Sequence, residues 1–211
     1  MGAGVLPVAL ITVVAAATAA LVAAELRGLR RWGVAAKVVA SLGFVLLGLC
    51  RAHLATPYDA RVLLALVLCL AGDVLLALPR GLAAGLGCFL AGHLAYATAL
   101  ATLVPLGEWP WPLAAAMAVP SAAAAAWLWP HLGRMRVPVL AYIAVITAMA
   151  WGALSVAGHA PWMTWAGALL FYLSDLAVAR DRFVVRRFAS RTWGLPAYYL
   201  AQVLLALTLG R

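Results

Sequence analysis

The chain has 211 residues, of which 67% are hydrophobic and only 10% charged, and its mean hydropathy is +1.05. That composition lies outside the range of soluble globular domains and marks an integral membrane protein. The net charge of +9 does not describe a nucleic-acid-binding face, because the basic residues are scattered between apolar runs; membrane lipids are the expected surroundings and no nucleic acid is expected as a partner.

A bilayer span needs about 20 mainly apolar residues, and eight stretches approach that length: 5–24, 33–50, 60–78, 82–105, 110–129, 137–157, 161–179 and 193–209. The first ends in an alanine-rich run before Glu25. It lacks a basic leading region and its charges follow it, so it reads as a span and not as a cleaved leader. The second carries Lys37, the third Asp73, and the fourth His93 and Tyr96. Pro120 interrupts the fifth, Tyr142 lies in the sixth, Ser174 and Asp175 in the seventh, and Tyr198, Tyr199 and Gln202 in the eighth. Connections are short, so residues 1–211 are expected to form a single all-α, polytopic membrane domain. Trp32, Trp109, Trp111, Trp127, Trp129, Trp162 and Trp193 fall near span ends, as an interfacial aromatic belt would. Cys50, Cys69 and Cys88 are odd in number and apolar in context, which favours packing over a disulfide framework.

Loop charge sets the topology. Connections after the odd-numbered spans hold Arg27, Arg30, Arg31, Arg80, Arg134, Arg136, Arg180, Arg182, Arg186, Arg187 and Arg191, against Arg51, Arg61 and Arg211 on the other side. The positive-inside rule then predicts cytoplasmic odd loops with both termini outside, in a multi-pass protein of a bacterial inner membrane.

Asp73 and Asp175 are the anomalies, because a charge inside a bilayer costs several kcal/mol and intramembrane acids usually face a cavity and serve function. Asp73 precedes Arg80 by seven residues, about 10 Å, and Asp175 precedes Arg180 by five, about 7.5 Å. Lys37 and Tyr142 fall about 9 Å in, and Tyr198, Tyr199 and Gln202 about 10 to 16 Å. His93 is expected deeper, about 20 Å from Arg80 and near the midplane. A polar pocket open to the cytoplasmic leaflet follows. Plainer uses exist for each: the aspartates can pair with Lys37 or a tyrosine to lock helices, Lys37 can snorkel, the tyrosines can pack, His93 can be a hydrogen-bonded core histidine, and Ser41 and Ser174 can bond back to helix carbonyls.

An internal echo at an offset of 102 residues matches Asp73, Arg80, Gly92, Ala95 and Tyr96 with Asp175, Arg182, Gly194, Ala197 and Tyr198. It suggests two four-helix pseudo-repeats about an axis along the membrane normal, with the aspartates facing each other. The sequence has no His-x-x-x-His pair or Cys/His cluster for a metal, and no Gly-x-Ser-x-Gly elbow around Ser174. A pair of carboxylates remains, able to divide acid and base roles.

At these residues the chain resembles the lysoplasmalogenases, or YhhN-like membrane proteins. The shared features are Lys37, Gly72-Asp73-Val74-Leu75-Leu76, Phe89 with His93 and Tyr96, Tyr142, Gly167-Ala168-Leu169-Leu170-Phe171 before Ser174-Asp175, and Tyr198-Tyr199-Leu200-Ala201-Gln202. Val38 stands where the family tends to have proline, and Ala177 where a small polar residue is common. The resemblance implies a hydrolase that cleaves the vinyl ether bond of a lysophospholipid to a fatty aldehyde and a glycerophospho-ethanolamine or -choline, without a cofactor. Asp73 and Asp175 would be the catalytic pair, with Lys37, His93, Tyr96, Tyr142, Ser174, Tyr198, Tyr199 and Gln202 around the substrate and Lys37 on its phosphate. Enol ethers hydrolyse through protonation at carbon followed by water attack on an oxocarbenium, which suits one protonated and one ionised carboxyl; which aspartate is which stays open. Two other classes share intramembrane acids. An aspartyl protease is disfavoured by Leu70-Ala71-Gly72-Asp73, which lacks the first glycine of Gly-x-Gly-Asp. A proton-coupled lipid or solute transporter would relay protons through the same residues.

Overall fold

A computed structural model describes residues 5–185 and 188–210; Arg186, Arg187 and Arg211, used above in the loop charge balance, lie outside the described residues. Eight α-helices follow one another: α1 (Val5–Leu26), α2 (Arg30–Arg51), α3 (Pro57–Ala77), α4 (Leu82–Leu100), α5 (Trp111–Leu128), α6 (Arg136–Ser155), α7 (Trp162–Ala179) and α8 (Phe188–Ala206). The first seven are long and apolar enough to cross a membrane. The protein is therefore an all-α, multi-pass integral membrane protein. α8 carries Arg191 in its first turn, yet its second half is buried on nearly every face.

In lipid, helices associate mainly through close van der Waals packing and interhelical hydrogen bonds. The core joins Ala40, Phe44 and Leu47 of α2, Ala65, Leu66 and Cys69 of α3, Tyr96 and Ala99 of α4, Phe171 of α7, and Tyr199, Ala201 and Leu205 of α8. Thr56 caps α3 by accepting the Asp59 amide at 3.1 Å, with Pro57 preset for the first helical position. Two helix limits differ from the expected spans by five residues, the others by three or fewer. α4 stops at Leu100, where Thr102 Oγ1 donates to the Ala99 carbonyl at 2.6 Å and a turn leads into Pro105. α8 starts at Phe188, because a helix can run past the hydrocarbon edge on a polar first turn. Trp109 is not a belt residue: it is 3% exposed, with Nε1 donating to the Val104 carbonyl at 2.8 Å.

The two halves share a packing plan. The α2–α3, α3–α4 and α2–α8 pairings recur as α6–α7, α7–α8 and α6–α4. The register of that repeat corrects the echo. Gly85 lets α4 approach the Gly72 carbonyl, a Cβ there falling 3.2 Å from it, and Gly194 lets α8 approach the Ser174 carbonyl, 3.8 Å from its own would-be Cβ. Gly72 and Ser174 are 102 residues apart, but Gly85 and Gly194 are 109 apart. Extra residues after α7, including the π-helical turn Arg180–Val184, account for the difference. Seven residues make about two helical turns, so the shift preserves the helix face and leaves a sequence match at the wrong register. The structural counterpart of Tyr198 is Phe89, not Tyr96, and that of His93 is Gln202.

Candidate active site

Each aspartate is held by helices of its own half and by one neighbour. Asp73 Oδ1 accepts from Lys37 Nζ of α2 at 2.8 Å, while Oδ2 accepts from the Ser41 hydroxyl at 2.7 Å and the Tyr198 hydroxyl of α8 at 2.7 Å. Ser41 also lies 2.9 Å from the Lys37 carbonyl one turn back, and the Tyr199 hydroxyl sits 3.4 Å behind it. Three donors thus converge on a carboxylate that is 1% exposed, the satisfaction a buried anion requires.

Asp175 has a different setting. Its Oδ2 accepts from the Tyr142 hydroxyl of α6 at 2.8 Å and lies 2.9 Å from His93 Nε2 of α4, with Nε2 and the Tyr142 oxygen 3.0 Å apart. Among the described residues, Asp175 Oδ1 has no hydrogen-bond partner. His93 is fully buried against the Phe171 ring, at 4.3 Å between centroids, and its Nδ1 faces Met149 Sδ at 3.3 Å. The contact places His93 in the same polar layer as Asp175 and not at a separate, deeper level. The depth to revise is that of Asp175, counted from Arg180: the turn Arg180–Val184 prolongs α7, so Arg180 does not mark the end of that element and Asp175 lies deeper than the count gave.

Both aspartates line one cavity of about 550 Å³ together with Lys37, Phe89, Tyr142, Ser174 and Tyr198. No hydrogen bond joins them among the described residues. The rings of Phe89, Phe171 and Tyr198 pack edge-to-face between their two settings, with centroids 5.4 to 6.3 Å apart. The cavity opens at the end of the bundle where α1 ends, α2 begins and α7 gives way to α8, and Glu25, Arg30, Asp181, Arg182 and Arg191 stand there. Arg191 donates to Asp181 Oδ2 through Nε at 3.2 Å and Nη2 at 3.0 Å, and to Glu25 through Nη1. A second cavity of about 320 Å³, walled by Leu86, Leu90, Leu128, Val139 and Ile146, shares Tyr142 and Asp175 with the first.

Several expected site residues stand apart. Tyr96 donates to Gln202 Oε1 at 2.7 Å, both are buried, and neither lines either of these two cavities. Tyr199 sits behind Ser41 and lines neither of the two. Ser174 lines the cavity, but its hydroxyl donates to the Phe171 carbonyl at 2.8 Å. Lys37 is engaged by Asp73. Sequence reasoning treated Ser41 as a helix back-bonder and passed over Glu25 and Asp181. The scarcity of acids, six in the whole chain, was the signal that would have drawn attention to the last two.

The fold and site define a polytopic helical membrane protein in which two differently partnered carboxylates face one polar cavity. The chain belongs to the YhhN family, whose model matches residues 5–209. It is 37% identical over 132 residues to the lysoplasmalogenase of Mycobacterium bovis, a match covering 57% of this chain and 49% of that protein. Similarity to lysoplasmalogenase TMEM86B of Sus scrofa is 34% over 155 residues, covering 73% and 65%. For lysoplasmalogenase TMEM86A of Bos taurus it is 37% over 132 residues, covering 59% and 53%. The chain thus spans about half to two thirds of the length of these relatives. No solved structure matches it.

Proposed function

We propose that this protein is a lysoplasmalogenase that hydrolyses the vinyl ether bond of a single-chain phospholipid. The observation that carries this reading is the unequal partnering of two carboxylates on one cavity. Asp73, with Lys37 on one oxygen and two hydroxyls on the other, is the ionised member, since all three neighbours act as donors. Asp175 keeps Oδ1 toward the cavity for a proton, and its Oδ2 partners stabilise the carboxylate left after transfer.

The reaction runs as follows. Asp175 Oδ1 gives its proton to the alkene carbon remote from the ether oxygen, generating an oxocarbenium ion. Asp73 stabilises that cation and takes a proton from water as the water oxygen bonds to the carbon next to the ether oxygen. The hemiacetal then breaks its bond to the glycerol oxygen, which takes the hemiacetal proton, releasing a fatty aldehyde and a glycerophospho-base. Proton exchange through the open cavity returns Asp73 and Asp175 to their starting states. The apolar cavity beside Asp175 suits the hydrocarbon chain, and the arginines at the mouth suit the phosphate, because Lys37 is already committed to Asp73. That mouth faces the cytoplasmic leaflet on the charge rule.

The test is aldehyde release by purified protein from vinyl ether lysolipids, with ester lysolipids as the control. Asp73→Asn and Asp175→Asn should each lower turnover by about 10²-fold or more, the usual contribution of a positioned acid or base. Near-normal turnover in either folded variant would sink the mechanism.

A further inference from the structure

The two halves differ in how their first helices pack. α1 lies against both α2 and α8 and buries Val14, Ala17 and Leu21. Its counterpart α5 lies against α6, but among the described residues no comparable interface joins α5 to α4, the counterpart of α8. The cavity of about 320 Å³ occupies this region, with Ala83 and Gly87 of α4, Ala124 of α5, and Pro138 and Ala141 of α6 in its wall. Ala83, Gly87, Pro138 and Ala141 are also exposed on the bundle, so the cavity reaches the outer surface between α4 and α6. Its inner end is the site, since Tyr142 and Asp175 line both cavities. Farther from the mouth the gap closes, where His93 of α4 lies 3.0 Å from the Tyr142 hydroxyl and 3.3 Å from Met149 Sδ of α6.

Position along the helices sets what surrounds this gap. Gly87 follows Leu82, the first residue of α4, by five positions, and Ala141 follows Arg136, the first of α6, by five, so each lies about 7.5 Å inside its helix. The hydrocarbon of one leaflet is about 15 Å deep, which sets the gap against lipid chains and not against head groups. We propose that the gap between α4 and α6 is a lateral entrance, through which the hydrocarbon chain of a single-chain lipid passes from the bilayer to Asp175. A chain taking this route exchanges one apolar surrounding for another. Through the mouth it would pass Glu25, Arg30, Asp181 and Arg191, and then Lys37 and Asp73, which hydrocarbon does not solvate. The polar cavity is thereby left to the head group. This inference rests on the lysolipid reading of the cavities but not on its catalytic step.

The probe is a long-chain, saturated alkyl ether lysolipid with a diazirine in mid-chain, photolysed with the intact protein in phosphatidylcholine vesicles. Wild-type protein should be labelled on α4 and α6 beside the gap, and excess unlabelled alkyl lysolipid should remove that label. Gly87→Trp and Ala141→Trp each bring an indole into the gap, from different helices, so that one serves if the other does not fold. Each should raise the Kd of the long-chain lysolipid about tenfold, the effect of displacing roughly two buried methylenes. The Kd of a short-chain analogue, whose tail ends inside the cavity, should move far less. Leu46→Trp, on an exposed face of α2 outside both cavities, should alter neither value. Label that unlabelled lysolipid does not displace would overturn the proposal. So would gap variants that bind both chain lengths as Leu46→Trp does, or that weaken both equally. Wild-type protein that binds no lysolipid would overturn the lysolipid reading and this inference with it, whereas displaceable label without aldehyde release from vinyl ether lipids would refute the catalytic step alone.

Discussion

Lys37 Nζ lies 2.8 Å from Asp73 Oδ1, so the one lysine of the chain is bound to a carboxylate on a neighbouring helix and does not reach freely for the membrane surface. Removing one partner of a buried ion pair leaves the other charge uncompensated, at a cost of about 3–5 kcal/mol. Lys37→Met should therefore lower thermal stability in detergent and abolish aldehyde release. The double variant with Asp73→Asn should recover most of the stability without the activity. If Lys37→Met alone is as stable as wild type, the pair is not a buried charge pair in solution.

Tyr142 and His93 both reach Asp175 Oδ2. Tyr142→Phe removes one donor while leaving the ring, and His93→Asn changes the other. Each should reduce kcat by about tenfold, the effect of one hydrogen bond to a charged group, with little change in KM. A rise in KM at constant kcat would instead place these side chains on the substrate.

Asp59 is a counterexample among the buried acids. Its Oδ2 accepts the amides of His53 at 2.6 Å and Gly210 at 3.0 Å, tying the α2–α3 connection to the chain beyond α8 at the end of the bundle opposite the cavity mouth. Asp59→Ala leaves two amides without their acceptor and should cost about 1–3 kcal/mol, read as a lowered unfolding midpoint. Turnover per folded molecule should stay at the wild-type value; a large drop would mean that this end communicates with the site.

Gly152 of α6 lies under the Trp109 indole, where a Cβ would run into ring carbons Cη2 and Cζ3. Gly152→Ala should destabilise by about 1–3 kcal/mol through overpacking. The indole should also lose its environment, visible as a red-shifted tryptophan emission. An unchanged spectrum and melting point would show that the loop holding Trp109 gives way freely.

The membrane class, the helices and the placing of Asp73 and Asp175 inside them were legible in the sequence, because hydrocarbon length and the cost of a charge inside it act on each segment independently of its neighbours. Lys37 and Tyr142 were legible as members of the polar layer for the same reason, since depth along a helix is a one-dimensional quantity. Only the tertiary structure decided which of these groups meet. A two-turn shift between halves leaves helix faces unchanged, so the sequence echo concealed that Phe89, and not Tyr96, is the counterpart of Tyr198. Tyr96 and Gln202 have the polarity of site residues, but they are buried in the core and the Tyr96 hydroxyl donates to Gln202 there. The same repeat gives Asp73 a lysine and Asp175 a histidine–tyrosine pair; that asymmetry depends on contacts across helices, which no single helix encodes.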